Sequence, residues 1–183
     1  MVKSSKTSIL FSNANRLNTL SIFISEYQRV CQFFIDLLWD VENIKKLIEK
    51  EFTSKVNTWF SQRAIQCAAK QASGIIRGTR QKQKQRMFKH DQFVKEGKFK
   101  KARKLQQIID KVKMSKPEIK SLQPELDSRF VKVDWENNTS FDGWITLTSL
   151  GNKLKIILPI KKTKHFNWLK SRGTVKTGMR FQK

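Results

Sequence analysis

Cysteine and long apolar runs are scarce in this sequence, and each scarcity excludes a class of protein. The chain of 183 residues has two cysteines. Cys31 and Cys67 lie within helical patterns and form no C-x-x-C pair, so we interpret them as reduced core residues and not as a disulfide or a zinc site. No apolar run is long enough to span a membrane, and the short run at residues 9–11 is too brief for a secretory signal. We therefore expect a cytoplasmic protein without a membrane partner.

Histidine and acidic residues are also scarce. The two histidines, His90 and His165, are far apart and have no neighbours typical of metal ligands. The chain has 15 Asp and Glu against 38 Lys and Arg, a formal net charge of +23. So much like charge repels itself in a compact fold, which predicts a polyanionic partner. Nucleic acid is the commonest such partner, because phosphate neutralisation releases counterions.

The hydrophobic content shows that this is not a disordered basic tail. Hydrophobic residues make up 38% of the chain, with 13 Phe and 5 Trp, enough to bury a core. Apolar residues recur at helical spacing from Leu17 onwards, which predicts a long helix that is capped by Asn13 and ends near Trp39. Residues 41–58 are expected to be partly helical around Ile44, Leu47 and Ile48.

Two further helices are predicted downstream. One begins near Trp59, and the other carries Phe99 at its start and Val112 at its end. They are expected to form an antiparallel hairpin that turns at residues 96–97.

The apolar period then changes from about 3.6 to 2, which is typical of strands. Strands are predicted at 129–135, 141–148 and 154–160, in an antiparallel meander with a turn at 137–139. A helical turn is expected at 165–170 and a last strand at 177–181. A first strand, at 6–11, can join the meander only if the helices are an insertion into one β unit.

The second long helix has a row of cations. Arg63, Lys70, Arg77 and Lys84 are seven residues apart, so they form one line that drifts by only about 20° per step. Gln66, Ser73 and Arg80 lie beside this line. A solvated helix face usually mixes charges of both signs, but no acid occurs from Gln62 to His90. The pattern therefore favours contact with nucleic acid, although a solvated face is the simpler alternative.

The C-terminal part of the chain is also free of acids, because none follows Asp142. Small β-barrels bind single strands through basic grooves and exposed aromatic residues. Three tryptophans, Trp135, Trp144 and Trp168, are candidates to stack on bases, with core positions as the alternative. The further cations predicted to bind nucleic acid are Arg129, Lys153, Lys155, Lys161, Lys162 and Lys164.

Self-contained catalysis is not expected. Metal-dependent nucleases need several converging carboxylates, and the candidates in the β half are Asp127, Asp134, Glu136 and Asp142. Two acids near a turn are ordinary, and the sequence has no phosphate loop, zinc-protease motif or nucleophile motif. A small complete nuclease that uses Asp134 and Asp142 is the weakest alternative.

Several phrases resemble the transposon-encoded TnpB (OrfB-type) proteins and the related miniature type V CRISPR effectors. In chain order they are YQRVCQFFIDLLW at 27–39, QRAIQCAAKQASG at 62–74, EGKFKKARKL at 96–105, LDSRF at 126–130, SFDGWITL at 140–147 and IKKTKHF at 160–166. The resemblance implies an α+β fold. A wedge-type antiparallel β-barrel (1–12 and 119–183) would be interrupted by a helical recognition lobe (13–118).

The resemblance also implies a function. In the family these two parts hold a guide RNA and read a short motif beside the double-stranded DNA target, and Gln66 occupies the place of a motif-reading glutamine. Glutamine can bond an adenine edge in two places. The RuvC-like nuclease domain of the family, with its magnesium, lies beyond the residues seen here. The chain would therefore bind without cutting and need no cofactor, unless a separate chain supplies that domain.

An alternative from another class is a basic structural protein that docks on folded RNA without reading DNA. It explains the charge equally well and assigns no special role to Gln66.

Overall fold

The computed structural model describes residues 5–45, 47–111, 115–135, 139–174 and 179–180. In this part of the chain the fold is mixed α+β. The helices are α1 (Ala14–Leu38), α2 (Lys50–Thr53), α3 (Gln62–Lys95), α4 (Phe99–Lys111) and α5 (Lys164–Lys170). The strands are β1 (Thr7–Ser8), β2 (Glu125–Leu126), β3 (Val131–Asp134), β4 (Gly143–Leu147), β5 (Ile156–Lys162) and β6 (Met179–Arg180).

Polar caps set where the helices begin. The Asn13 side chain accepts a hydrogen bond from the Arg16 N–H at 2.9 Å, which confirms the predicted N-cap of α1. Ser61 caps α3 in the same way through the Ala64 N–H at 3.2 Å. The cap places the start of α3 at Gln62, slightly later than the predicted start near Trp59.

The prediction for residues 41–58 is wrong in position. The only helix described in this segment is α2, whereas Ile44, Leu47 and Ile48 are not helical. The main-chain carbonyls of Lys45 and Ile48 accept hydrogen bonds from side chains of α3 instead of bonds within a helix.

The predicted hairpin of α3 and α4 is confirmed. Gly97 has a φ of +68°, the left-handed conformation that ends many helices. The N–H groups of Gly97 and Lys98 bond back to the carbonyls of Val94 and Phe93 at 3.0 and 2.9 Å. The predicted end of the second hairpin helix, Val112, lies outside the described residues.

The main sheet is antiparallel, with strand order β1-β5-β4-β3. The meander is therefore confirmed, and so is the return of the first strand, because Thr7 pairs with Lys162. The expected barrel is not confirmed, because the four strands of this sheet do not close within the described residues. β1 has only two residues because the chain turns directly after it, where the Ser12 N–H bonds the Ile9 carbonyl at 3.0 Å.

A separate two-stranded sheet pairs β2 with β6. The first of these strands was not predicted. The second falls within the predicted strand at 177–181, of which only residues 179–180 are described. The predicted turn at 137–139 has just Thr139 among the described residues.

One hydrophobic core joins the helices to the sheet. Ala64, Ala68, Ala69 and Ala72 of α3 are completely buried, and such small side chains let α1 pack closely on α3. The same core includes the inner face of the sheet, with Ile145, Leu147, Ile156, Leu158 and Ile160. The predicted division into two parts at 13–118 stays a prediction. None of the described helices is long and apolar enough to cross a bilayer.

Candidate nucleic-acid interface

The four cations that are seven residues apart, which we call the α3 row, lie on one side of α3. Arg63, Lys70 and Lys84 are exposed. Arg77 is half-buried, and its Nε donates to the Ser73 carbonyl at 3.3 Å. Within the described ranges none of the four forms an ion pair with a carboxylate. The α3 row is therefore a line of positive charge that the described residues do not neutralise.

The second predicted line, Gln66, Ser73 and Arg80, has a different position. These residues contact the segment 39–49, which we call the connector and in which residue 46 is not described. Gln66 Nε2 donates to the Ile48 carbonyl at 3.1 Å, and Ser73 Oγ donates to the Lys45 carbonyl at 3.2 Å. Arg80 Nη1 donates to the carbonyls of Val41 and Glu42 at 2.7 and 2.8 Å. The connector thus runs antiparallel to α3 along this line.

Helix geometry explains why the two lines differ. A step of three residues falls about 60° short of a full turn, so Gln66, Ser73 and Arg80 are rotated from the α3 row toward the buried side of the helix. Ser73 is completely buried, which corrects its prediction as a contact for nucleic acid. Arg80 is half-buried and is likewise engaged with the connector.

Gln66 is also held inside the fold. Its side-chain oxygen is buried and has no hydrogen-bond partner among the described residues, while its amide nitrogen donates to the Ile48 carbonyl. Contact between Gln66 and a base would require the connector to move.

A fifth predicted cation, Lys153, lies beside the α3 row although it comes from a distant part of the chain. Arg63 and Lys153 line one open depression of about 480 Å³ where α3 begins. The turn between β4 and β5 is held there by the Ser61 N–H, which donates to the Leu150 carbonyl at 2.8 Å, and by Ser61 Oγ, which donates to the Ser149 carbonyl at 2.6 Å. This contact extends the positive line by one residue.

Lys155 lies in a different depression, of about 220 Å³, that it shares with Arg16 and Thr19 of α1. Arg16 was missed by the sequence analysis. In the sequence, Arg16 looks like any residue in the first turn of a helix. Only the packing of α1 against β5 brings it close to Lys155.

The remaining predicted cations have protein partners or lie apart. Arg129 pairs with Asp127, and this hydrogen bond lowers the pKa of the Asp127 carboxyl. Lys161 Nζ donates to the Ser140 carbonyl at 2.9 Å, and Lys162 Nζ lies 5.2 Å from the Trp135 ring centre. Lys164 is exposed at the start of α5. The structure therefore does not gather all the predicted cations at one site.

The three candidate tryptophans differ in their surroundings. Trp135 packs against the hydrophobic core, 4.9 Å from Phe166 between ring centres. Trp168 is 46% exposed, but the His165 ring stacks on it and the Arg172 guanidinium lies 4.3 Å from its centre. Trp144 is half-buried and is not among the described core residues.

The candidate nuclease acids are spread over several environments. Asp127 is engaged by Arg129, and Asp142 accepts a hydrogen bond from the Lys162 N–H at 2.8 Å. Asp134 is exposed at the end of β3, and Glu136 lies outside the described residues. No group of three or more potential metal ligands occurs in the described part of the chain.

Comparisons of this chain with protein-family models, with curated proteins and with solved structures find no match. Its function therefore has to be inferred from its own residues and their geometry.

Proposed function

We propose that this chain binds nucleic acid through the α3 row and the adjoining Lys153. The observation that supports this most is the row itself: four cations on one side of a 34-residue helix, none ion-paired with a carboxylate in the described residues. Successive cations are about 10 Å apart along the axis. Such a line suits a phosphate backbone, because each contact releases condensed counterions.

The finer form of the proposal follows the resemblance to the TnpB proteins. The chain would hold a guide RNA in the cytoplasm and place it against double-stranded DNA beside a short motif. Sequence specificity would come from base pairing by the guide, while the protein recognises backbone shape. Cleavage would require a RuvC-like domain and its magnesium from a separate chain, and this chain would act without a cofactor.

The salt dependence of binding tests the α3 row. The triple variant Arg63→Gln/Lys70→Gln/Lys84→Gln is compared with Lys100→Gln/Lys104→Gln/Lys111→Gln, which removes the same charge from the exposed side of α4. We expect the slope of log K against log salt to fall by about 0.9 per lost contact on duplex DNA and about 0.7 on a single strand, in the first variant alone. Equal slopes for both variants would show that net charge, and not the row, attracts the ligand.

The guide RNA is tested by purification. The protein is isolated at about 0.15 M salt, and any RNA that co-purifies is sequenced. A single enriched transcript from a transposon end is expected. Protein that comes away free of nucleic acid, and that does not bind such a transcript, contradicts the finer form.

A specific observation favours the second candidate, an RNA-docking structural protein that does not read DNA. The buried oxygen and the engaged nitrogen of Gln66 leave no free edge for a base. Gln66→Ala separates the candidates when it is compared with Ser73→Ala, which loosens the same connector without removing an amide. Loss of motif preference in Gln66→Ala alone supports reading of the target-adjacent motif. Identical behaviour of the two variants supports the structural protein.

A further inference from the structure

The outer face of the main sheet has an aromatic cluster that is separate from the core. The ring centres of Phe11 and Phe141 are 6.2 Å apart, and those of Phe141 and Trp144 are 5.4 Å apart with the rings nearly perpendicular. None of the three is among the described residues that form or line the core. We call this group the aromatic triad.

Strand alternation explains this position. Ile145 and Leu147 of β4 are buried, so Trp144 and Thr146 point to the other face of the sheet. Their partners across the strands are Pro159 and Ile157 of β5. Trp144 therefore lies on the face opposite the core, beside the buried Pro159 and the half-buried Ile157.

Phe11 is the exposed member of the triad, whereas Phe141 and Trp144 are half-buried. Phe11 is 58% exposed and its neighbour Leu10 is 84% exposed. Both lie in the turn between β1 and α1, which places them at the edge of the sheet.

Cations surround the triad. The Arg16 guanidinium lies 5.7 Å from the centre of the Trp144 ring, and Arg16 shares a depression with Lys155. Lys161 follows Pro159 on the same side of β5, where its Nζ also donates to the Ser140 carbonyl, and Lys132 of β3 pairs with Thr146 of β4. Two acids are nearby. Asp134 is the cross-strand partner of Trp144, and the carboxylate of Asp142 accepts a hydrogen bond from the Lys162 N–H. Positive charge therefore exceeds negative charge around the aromatic surface.

We propose that this face binds single-stranded nucleic acid, with unpaired bases stacked on the aromatic triad and phosphates held by Arg16, Lys132 and Lys161. Aromatic rings and cations together are the pattern of single-strand binding surfaces. A duplex keeps its base faces inside the stack, so it offers nothing for the triad to stack on. An uncharged apolar partner would use the rings but leave the cations without a counterpart. The inference rests on the proposed function for the class of ligand, but it concerns a different surface from the α3 row.

The test uses the full chain with two labelled probes, a 12-nucleotide oligothymidine strand and a 12-base-pair duplex. Phe11→Ala and Trp144→Leu are expected to weaken binding of the single strand by about 5- to 100-fold. Duplex binding and the salt slope should stay unchanged, because no charge is removed. Ile22→Ala is the matched control, since Ile22 of α1 is 56% exposed, and it should bind both probes like the parent protein.

Unchanged single-strand affinity in folded Phe11→Ala overturns the proposal even if Trp144→Leu does not fold. The proposal is also overturned if the parent protein dimerises in sedimentation experiments and Phe11→Ala is monomeric, because a second copy would then cover the triad. Equal salt slopes for the α3 row variant and its α4 control, with single-strand binding still weakened by Phe11→Ala, would contradict the proposed function alone and leave this inference standing.

Discussion

Arg80 of α3 donates a hydrogen bond to the main-chain carbonyl of Trp39, directly after α1, and its guanidinium lies 5.7 Å from the centre of the Trp39 ring. A cation at the C-terminal end of a helix also interacts favourably with the helix dipole. Together with the bonds to Val41 and Glu42, this contact attaches the connector to α3 at the point where it leaves α1. Arg80 thus stabilises the fold, although by residue type and spacing it resembles the cations of the α3 row.

We expect Arg80→Gln to lower the free energy of unfolding by about 1–3 kcal/mol, because part-buried carbonyls lose their donors. The salt dependence of nucleic-acid binding should stay the same. Lys84→Gln, one helical turn further on, is the control and should show the opposite pattern. Urea unfolding and binding titrations measure the two effects, and an equally stable Arg80→Gln protein would contradict the assigned role.

Gly151→Ala should destabilise the fold by about 1–3 kcal/mol. Gly151 has a φ of +137°, and a Cβ added there would overlap the Trp59 carbonyl oxygen and lie 2.8 Å from the Phe60 Cα. The turn that presents Lys153 to Arg63 would have to move. Gly173→Ala is the control, since its nearest neighbour would be 3.9 Å away. Similar thermal unfolding of the two variants would argue against this close contact.

Gly78→Ala should have the opposite effect and raise the free energy of unfolding by about 0.5–1 kcal/mol. Gly78 lies in the interior of α3, and a Cβ there would meet no atom within 4 Å. Chemical denaturation measures the gain. A lower midpoint would show that the exposed side of α3 is covered in solution.

The stability of the fold should depend on Glu26 at neutral pH. The carboxylate accepts hydrogen bonds from Arg29 at 2.7 and 2.8 Å and from Thr58 at 2.5 Å. The Arg29 bonds, and secondarily Thr58, lower the pKa of Glu26 against the opposing effect of partial burial. A carboxyl with a lowered pKa in the folded state stabilises the fold above its unfolded pKa of about 4.3. This contribution disappears as the pH falls through the lower, folded-state value.

Glu26→Gln should therefore reduce Tm at pH 7 and have a smaller effect at about pH 3. Glu51→Gln is the control, because Glu51 is exposed and its Lys55 partner is 3.7 Å away. Calorimetry at both pH values measures the difference. A Glu26→Gln protein with the same Tm deficit at both values would show that shape, and not charge, matters at this position.

Local patterns in the sequence predicted much of the fold. The period of α1, its Asn13 cap, the glycine of the hairpin and the alternation of the strands are all properties of neighbouring residues, and the structure agrees with them. The prediction was wrong at residues 41–58, and the closed barrel is not confirmed by the described strands. In the first case distant side chains of α3 bind the backbone, and in the second the outcome depends on which strand edges meet.

The candidate site was likewise predictable only where it depends on residues that are close in sequence. The heptad spacing placed Arg63, Lys70, Arg77 and Lys84 on one side of a helix, and this follows from helix geometry alone. It also placed Gln66, Ser73 and Arg80 beside them, but spacing does not tell which of two neighbouring lines another segment will cover. Arg16 and the grouping of Trp144 with Phe11 and Phe141 were out of reach for a similar reason, since these residues come from separate elements.

The sequence by itself determined the excess of positive charge, the helix and strand periods and the line of cations, because each depends on residue type and on distance along the chain. Tertiary structure alone decided which cations stay exposed, which ones hold the connector, and where Trp144 lies relative to the core. These outcomes depend on long-range packing, in which a rotation of about 60° around α3 separates a solvent-facing lysine from a buried serine.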